Sequence, residues 1–395
     1  MTRRQRTVDE PVMGVLSFST LFVIGTDTFL LAPLLPLLQR EFDVSLAQAG
    51  WLVSAYALGY ALFALVAGPI SDRSDRRTVL LVGIAAFTVF TAACGVAWSF
   101  WAMFATRFLA GVGAALSSPQ IWASIPMVVR PESVITVLGR ATAGLAIAQV
   151  VGIPIGAYLS ERDWRLPFVV IATLGVVLWL VLFLAFPTVR PATPTGGVLE
   201  PYRRVLGTTI LRRSLVAYLV FQAGGLGAFS FIASWLAKDF GASQVQLGTS
   251  MMVIGVGQGI GSLFGPKLVA RLGERTSLWA GILALGLGFL GASAMPTRWS
   301  ATVVFALTMA VGGVLLPVMM GQLQSHAGAA RGTVSSLSNT AMYLGTSFTG
   351  AVGGALLTAV PGFWGISLLT ATTFTVAALI YWRAGAFDGA GAGGR

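Results

Sequence analysis

The chain has 395 residues, 56% of them apolar and only 10% charged, well below the roughly 25% of ordinary soluble domains, and this composition marks an integral membrane protein. A formal charge of +11 would suggest nucleic acid if it were gathered on a soluble face, but the basic residues fall in short loops between apolar runs. One cysteine and one histidine exclude a disulfide framework and a Cys/His metal site by counting.

The opening "MTRRQR" before an apolar run resembles a signal peptide, but the run is too long for a signal h-region, so an uncleaved first span is expected. A bilayer core about 30 Å thick needs about 20 apolar residues per helix. That ruler predicts twelve spans at 12–38, 49–70, 78–97, 99–123, 134–159, 165–187, 213–236, 246–268, 277–295, 299–320, 333–358 and 362–382. The polar insert over 190–213, with its Pro, Gly and Thr, reads as a linker. The expected organisation is an all-α membrane protein: an N-terminal six-helix bundle over 1–189, a cytoplasmic linker over 190–212 and a C-terminal six-helix bundle over 213–395.

With the N-terminus in the cytoplasm, Arg40, Arg162, Arg165, Lys238 and Arg298 are external, Arg107 lies inside a span, and the rest of the 25 Lys and Arg residues are cytoplasmic. The positive-inside rule requires this asymmetry, so both termini are expected in the cytoplasm of a multi-pass plasma-membrane protein. Trp51, Trp98, Trp101 and Trp299 fall at span ends, where interfacial anchors sit.

Asp27 is the only acid in any predicted span and Arg107 the only Arg or Lys deep in one. An ionised side chain at mid-bilayer costs about 2.5–3.5 kcal/mol on insertion scales, so such residues face a cavity or a partner. At 1.5 Å per residue both lie roughly 11–16 Å below the outer boundary, which lets them meet. A structural ion pair is one reading. The functional one is proton coupling, because desolvation and a nearby guanidinium act in opposite directions on a carboxylate's proton affinity.

An internal repeat appears at corresponding loops: "GPISDRSDRR" (68–77) between spans 2 and 3, and "GPKLVARLGER" (265–275) between spans 8 and 9. Two related six-helix halves imply a binding site between them. On these features the chain resembles a major facilitator superfamily transporter of the twelve-span drug/proton antiporter type. The superfamily's loop motif is matched by Gly68, Asp72, Arg73, Arg76 and Arg77, with Asp75 standing where the motif has its second glycine. The span 4 motif is matched by Arg107 and Gly111 and the span 5 antiporter motif in part by Gly144, Gly152, Pro154 and Gly156. "GIPIGAYLSERDWR" is similar to the branch containing sugar-efflux and chloramphenicol-resistance proteins.

The resemblance implies that Asp72 latches onto the N-terminus of span 11 near Gly332 and Thr333, with topogenic charge as the plainer reading of the loop. It also implies that the small-residue ridge of span 5 is the pivot of the two bundles, against ordinary tight packing. Gln149, Gln222, Gln258, Asn339 and Tyr343 are candidates for the cavity wall or for interhelical hydrogen bonds. "GVGQGIG" (255–261) imitates a nucleotide fingerprint but lies inside a span. No P-loop and no G-x-S-x-G occurs, which disfavours a primary pump and a hydrolase. The expected function is export of a small amphipathic molecule in exchange for protons, without cofactor, metal or nucleic acid, by a monomer in contact with membrane lipid. A proton-linked uptake symporter or a non-transporting sensor is the alternative.

Overall fold

Short connections between the apolar runs carry the residues that start the next helix. Ser45 and Gln48 form a reciprocal capping box, the Gln48 N–H donating to Ser45 Oγ at 3.2 Å and the Ser45 N–H to Gln48 Oε1 at 3.0 Å. Ser243 and Gln246 repeat it, and Ser99 and Thr297 cap in the same way. Each side-chain oxygen satisfies an orphan N–H of a first turn.

The computed structural model describes residues 9–189, 197, 200–327 and 330–385, without the side chains at 69, 72 and 135. The long helices are α1 (Glu10–Glu41), α2 (Leu46–Arg73), α3 (Arg76–Gly95), α4 (Phe100–Val128), α5 (Val134–Ile147, a wider π-type turn Ala148–Gly152, then Ile153–Ser160) and α6 (Leu166–Ala185). The second half comprises α7 (Thr209–Gly224, then Leu226–Phe240), α8 (Gln244–Leu272), α9 (Glu274–Ser293), α10 (Arg298–Ser325), α11 (Arg331–Ala359) and α12 (Trp364–Ala384). Among the described residues, eleven helices are long and apolar enough to cross a membrane. The exception is α11, which is 29 residues long but opens on the polar run Thr333 to Thr340. An even number of crossings returns both chain ends to one side, and Arg213 donating to the Arg383 carbonyl at 2.8 Å ties the start of α7 to the end of α12 there.

The connection between the halves is more structured than its composition suggests. Residues 190–196, 198 and 199 lie outside the described residues, but Glu200–Gly207 is a helix and α7 starts at Thr209, earlier than expected. Val205 is buried, and the Tyr202 hydroxyl donates to the Leu65 carbonyl of α2 at 2.7 Å. One apolar face and one long hydroxyl suffice to dock this short helix, which a Pro- and Gly-based reading overlooks.

Apart from the Gly-Pro that opens the charged loop, one residue earlier in the second copy, the repeat keeps one register. Gly59 of α2 packs on the backbone of Phe108 in α4, and Gly257 of α8 packs on that of Ala306 in α10. Gly59 to Gly257, Phe108 to Ala306, Ser45 to Ser243 and Ser99 to Thr297 are the same step along the chain. It carries Asp75 onto Gly273, the two versions of the charged turn. Gly273 takes φ 82°, ψ 153°, a conformation that only glycine adopts without strain. Asp75 stays extended at φ −64°, ψ 118° and caps α3, its Oδ1 accepting from the N–H groups of Arg77 at 3.1 Å and Val189 at 2.9 Å. The first copy therefore turns without its glycine because a carboxylate organises the loop.

Two seams join the halves. Along α2 and α11 contact runs the full length: Gly354 lies on Leu46, Gly350 on Gly50, Ser54 and Ser347 exchange hydrogen bonds with each other's carbonyls, and the Thr340 and Ser336 hydroxyls donate to the carbonyls of Ala61 and Ala64. The α5–α8 seam covers only the end away from the termini, where Gly248 meets Pro154 and Ala157, Gly255 meets Gln149, and the Val245 N–H donates to Glu161. In the same zone α1 meets the second stretch of α7, Phe29 lying edge-on to Phe229 at 6.2 Å, and also touches α8. The far end is closed, and towards the terminus-bearing end only α2–α11 continues.

Candidate functional site

Helix α1 is weakened around its acid. Thr26 and Thr28 donate back to the carbonyls of Phe22 and Ile24, each at 2.8 Å, and Pro33 removes an N–H one turn further on. Small residues of α5 pack against this stretch: a side chain at Gly144, Gly152 or Gly156 would run into Phe18, Thr26 or Leu30 respectively. The ridge of span 5 thus seals α5 to α1 within its own half. That corrects its expected place between the bundles, where Pro154 is the motif residue that meets the other half. Small side chains let α5 lie so close to α1 that the ridge is used up there.

Helix α4 brings the arginine. Gly111, one turn after Arg107, abuts the Tyr56 carbonyl with no space for a Cβ, and this close approach places the Arg107 guanidinium over the Tyr56 ring at 4.5 Å. Arg107 Nη1 donates to Asp27 Oδ2 at 2.8 Å, and both side chains are buried, at 1% and 0% exposure. Asp27 Oδ1 and Arg107 Nε have no hydrogen-bond partner among the described residues. The sequence-predicted pair meets, with one carboxylate oxygen and the Arg107 Nε left without a hydrogen bond among the described residues.

Beside the pair lies a cavity between the halves. Its wall includes Thr28, Phe29, Tyr56 and Arg107 from the N-terminal half and Phe229, Ser230, Tyr343 and Thr346 from the C-terminal half. Tyr343 stacks on Tyr60 at 3.9 Å between ring centroids, and Tyr56 shares a 3.0 Å hydrogen bond with Thr28. The space open to water centres is about 30 Å3, room for a few waters and less than a drug-sized ligand needs. Arg107 lines this space and Asp27 stands behind it.

Of the five polar candidates for the wall, Tyr343 alone is there. Gln149 packs at Gly255, Gln222 donates to the Tyr218 hydroxyl at 3.5 Å, Gln258 backs onto Gly313, and Asn339 sits on α11 away from the cavity. Missed by sequence reasoning were Tyr56, Thr28, Ser230 and Thr346. Two tyrosines one turn apart on α2, Tyr56 and Tyr60, were the signal available. Three of the four glycines of "GVGQGIG" are packing positions, Gly255 against α5 and Gly257 and Gly261 against α10, while Gly259 has no neighbour within reach of a Cβ.

The loop motif mostly serves its own half. Arg76 donates to Ser71 at 2.9 Å, and Ser71 to Gln120 of α4 at 2.5 Å. Arg77 donates to the Phe183 carbonyl of α6 and lies over that ring. Arg73 is exposed, and Gly68 is half-buried beside Tyr202 and Ser336. The side chain of Asp72 lies outside the described residues, and Gly332 has no neighbour within reach of a Cβ.

Comparison with known proteins agrees with this architecture. The family model described as Major Facilitator Superfamily matches residues 17–232 and 214–391. The MFS-type transporter YceJ of Bacillus subtilis (strain 168) is 45% identical, covering 93% of this chain and 94% of that protein. The class D tetracycline resistance protein of Salmonella ordonez is 26% identical over 84% of this chain and 86% of that protein. Among solved structures, a D-xylose–proton symporter superposes with a TM-score of 0.76 at 15% identity, over 94% of this chain and 97% of that one, a likeness of fold alone. Two six-helix halves with a cavity between them, and these matches over most of the length, make the chain a multi-pass membrane transporter of the major facilitator superfamily.

Proposed function

We propose that this transporter exports a small amphipathic molecule in exchange for protons, by alternating access about the central cavity. The observation that carries the reading is the buried Asp27–Arg107 pair at the cavity wall. A proton on Asp27 removes the charge that holds Arg107, and the released guanidinium moves into a space that is already narrow. A neutral cargo and the proton then exclude one another, the condition for exchange. Aromatic and hydroxyl groups on the wall suit an amphipathic cargo, and the tetracycline resistance relative supports the outward direction.

In this reading the terminus-bearing end, with most of the basic residues, is cytoplasmic, and the closed far end faces outward, so that cargo enters from the cytoplasm. The linker and the loop motif, Asp72 included, tune closure of the cytoplasmic end; the proton gradient is the energy source and no cofactor takes part. The test is efflux from proteoliposomes under an imposed pH gradient. Asp27→Asn keeps the shape but stays neutral, so it should abolish uphill export and leave some downhill exchange. Accumulation against a gradient at the wild-type rate would reduce Asp27 to a structural partner. Symport is the second reading, favoured by one observation: the charged group exposed to the cavity is a cation.

A further inference from the structure

The cavity wall offers one charged side chain, Arg107, and no acid. Four of its lining groups are aromatic, Phe29, Tyr56, Phe229 and Tyr343, and the Ser230 and Thr346 hydroxyls of the opposite half already donate to the Leu226 and Met342 carbonyls, which leaves Arg107 as the donor for a charged cargo. Arg107 is 1% exposed and its Nε has no partner among the described residues, so donor capacity in a buried position goes unused. Once alternating access widens the gap between the halves, the chemistry of this wall suits a flat molecule that carries a negative charge.

Charge balance decides what else must bind. With Asp27 ionised the buried pair is neutral. An anion arriving alone leaves a net negative charge in a low-dielectric site, and a proton arriving alone leaves a net positive one. Each uncompensated charge costs free energy in such a site, a cost that exchange of a neutral cargo meets from the proton gradient and that a bound counter-charge removes. Proton and monoanion together restore neutrality: Asp27 becomes a carboxylic acid, its ion pair with Arg107 breaks, and the guanidinium pairs with the anion. By linkage each of the two then tightens the other.

We propose that this cavity also carries aromatic monoanions, each bound together with one proton, so that for such cargo the protein is a cotransporter. The inference rests on the proposed reading of the cavity as the cargo site and of Asp27 as the proton site. A proton that releases Arg107 expels a neutral cargo and captures an anionic one, which makes the sign of coupling a property of the cargo.

The other titratable groups around the carboxylate do not offer a substitute charge. Tyr56 and Tyr60 of α2 and Cys94 of α3 are neutral side chains in hydrogen bonds, to Thr28, Ser118 and Thr106. Helix α6 has no titratable residue. In α5, Arg140 is bound to Glu10 near the start of α1 and Tyr158 is exposed. In the part of α7 that meets α1, Lys238 and Asp239 sit at its far end, held by Leu357 and Trp235. Lys267 and Arg271 of α8 lie beyond the stretch that meets α5.

The probe is naphthalene-2-sulfonate, a permanent monoanion, given to proteoliposomes of the full chain that hold a pH dye and have equal pH on both sides. An inward sulfonate gradient should acidify the lumen. Asp27→Asn should bind the sulfonate, read by quenching of tryptophan fluorescence, and carry it without moving protons. Removing Arg107 alone strands a buried carboxylate, so the neutral double variant Asp27→Asn/Arg107→Gln carries the affinity test. It should bind about 10–100-fold more weakly than Asp27→Asn, as expected for a lost charge-assisted hydrogen bond.

A lumen that turns alkaline, sulfonate that enters without protons, no sulfonate binding to the wild type, or equal binding by the two variants would each overturn the inference. The neutral analogue naphthalene-2-sulfonamide, driven by a pH gradient, tests the exchange reading separately. Failure there with sulfonate-linked acidification intact removes exchange and keeps cotransport, and the reverse result does the opposite.

Discussion

The two halves place different chemistry at equivalent points. In the register of the repeat, Asp27 corresponds to Gly225 and Arg107 to Phe305. Gly225 has no side chain to offer and sits where α7 breaks, at φ −79°, ψ −82°. Phe305 is fully buried, packed edge-on against Trp235, Phe289 and Phe363 at centroid distances of 6.1, 5.5 and 5.6 Å. The backbone frame is shared, down to the glycines that let α2 meet α4 and α8 meet α10. What fills it is an ion pair in one half and a block of rings in the other. The fold does not need charge at this level, since an apolar filling of a buried pair is often neutral or stabilising. The pair is therefore better explained by transport than by packing.

The largest effect should come from exchanging the fillings. Phe305→Arg places an unpaired guanidinium among three aromatic side chains and should cost about 3–5 kcal/mol, the scale of a stranded buried charge. Arg107→Leu should cost a similar amount by stranding Asp27, while Asp27→Asn/Arg107→Leu should recover most of it. Thermal unfolding of the detergent-solubilised protein reads all three. A double variant no more stable than Arg107→Leu would mean that packing, and not charge, holds the N-terminal half together at this point.

An intermediate effect is expected at one glycine in each of the corresponding helix contacts, Gly111 of α4 on α2 and Gly257 of α8 on α10. Gly111→Ala and Gly257→Ala each press a methyl onto a backbone carbonyl and should destabilise by about 1–3 kcal/mol, the usual range for overpacking. Their consequences should differ. Gly111→Ala also lifts α4 from Tyr56 and so shifts Arg107, and should lower transport beyond what its stability loss explains. Gly257→Ala has no such charge to displace. Equal activity per folded molecule in the two variants would break the comparison.

The smallest effect should be found at the paired turns. Gly273→Ala forces a side chain into a glycine-only conformation at about 1–3 kcal/mol, whereas Asp75→Ala loses a cap worth about 1 kcal/mol. Unfolding midpoints should fall in that order. The combined variant should show additive losses, because the turns lie in different halves and share no partner.

Twelve spans, the repeat and the Asp27–Arg107 pairing follow from the amino-acid sequence by itself. A bilayer imposes one length on every crossing helix, and an isolated charge in hydrocarbon is costly enough to seek a cavity or a partner, which two lone charges at similar depth can offer each other. The docked linker helix escaped that logic, since the tyrosine hydroxyl on α2, the buried valine and the contacts with α7 and α11 are brought together only by the fold. So did the cavity wall. Most of its residues are Tyr, Phe, Ser and Thr, types common all along the spans, and only the rotation of each helix decides which of them face the gap. Gln222 and Gln258 turned away while Tyr56 and Thr346 turned in, because the glycines beneath them set how closely and at what angle neighbouring helices pack. Which half keeps the charge is written in the chain; that Arg107 faces the cavity and Asp27 stands behind it was decided by the seating of α4 on Gly111.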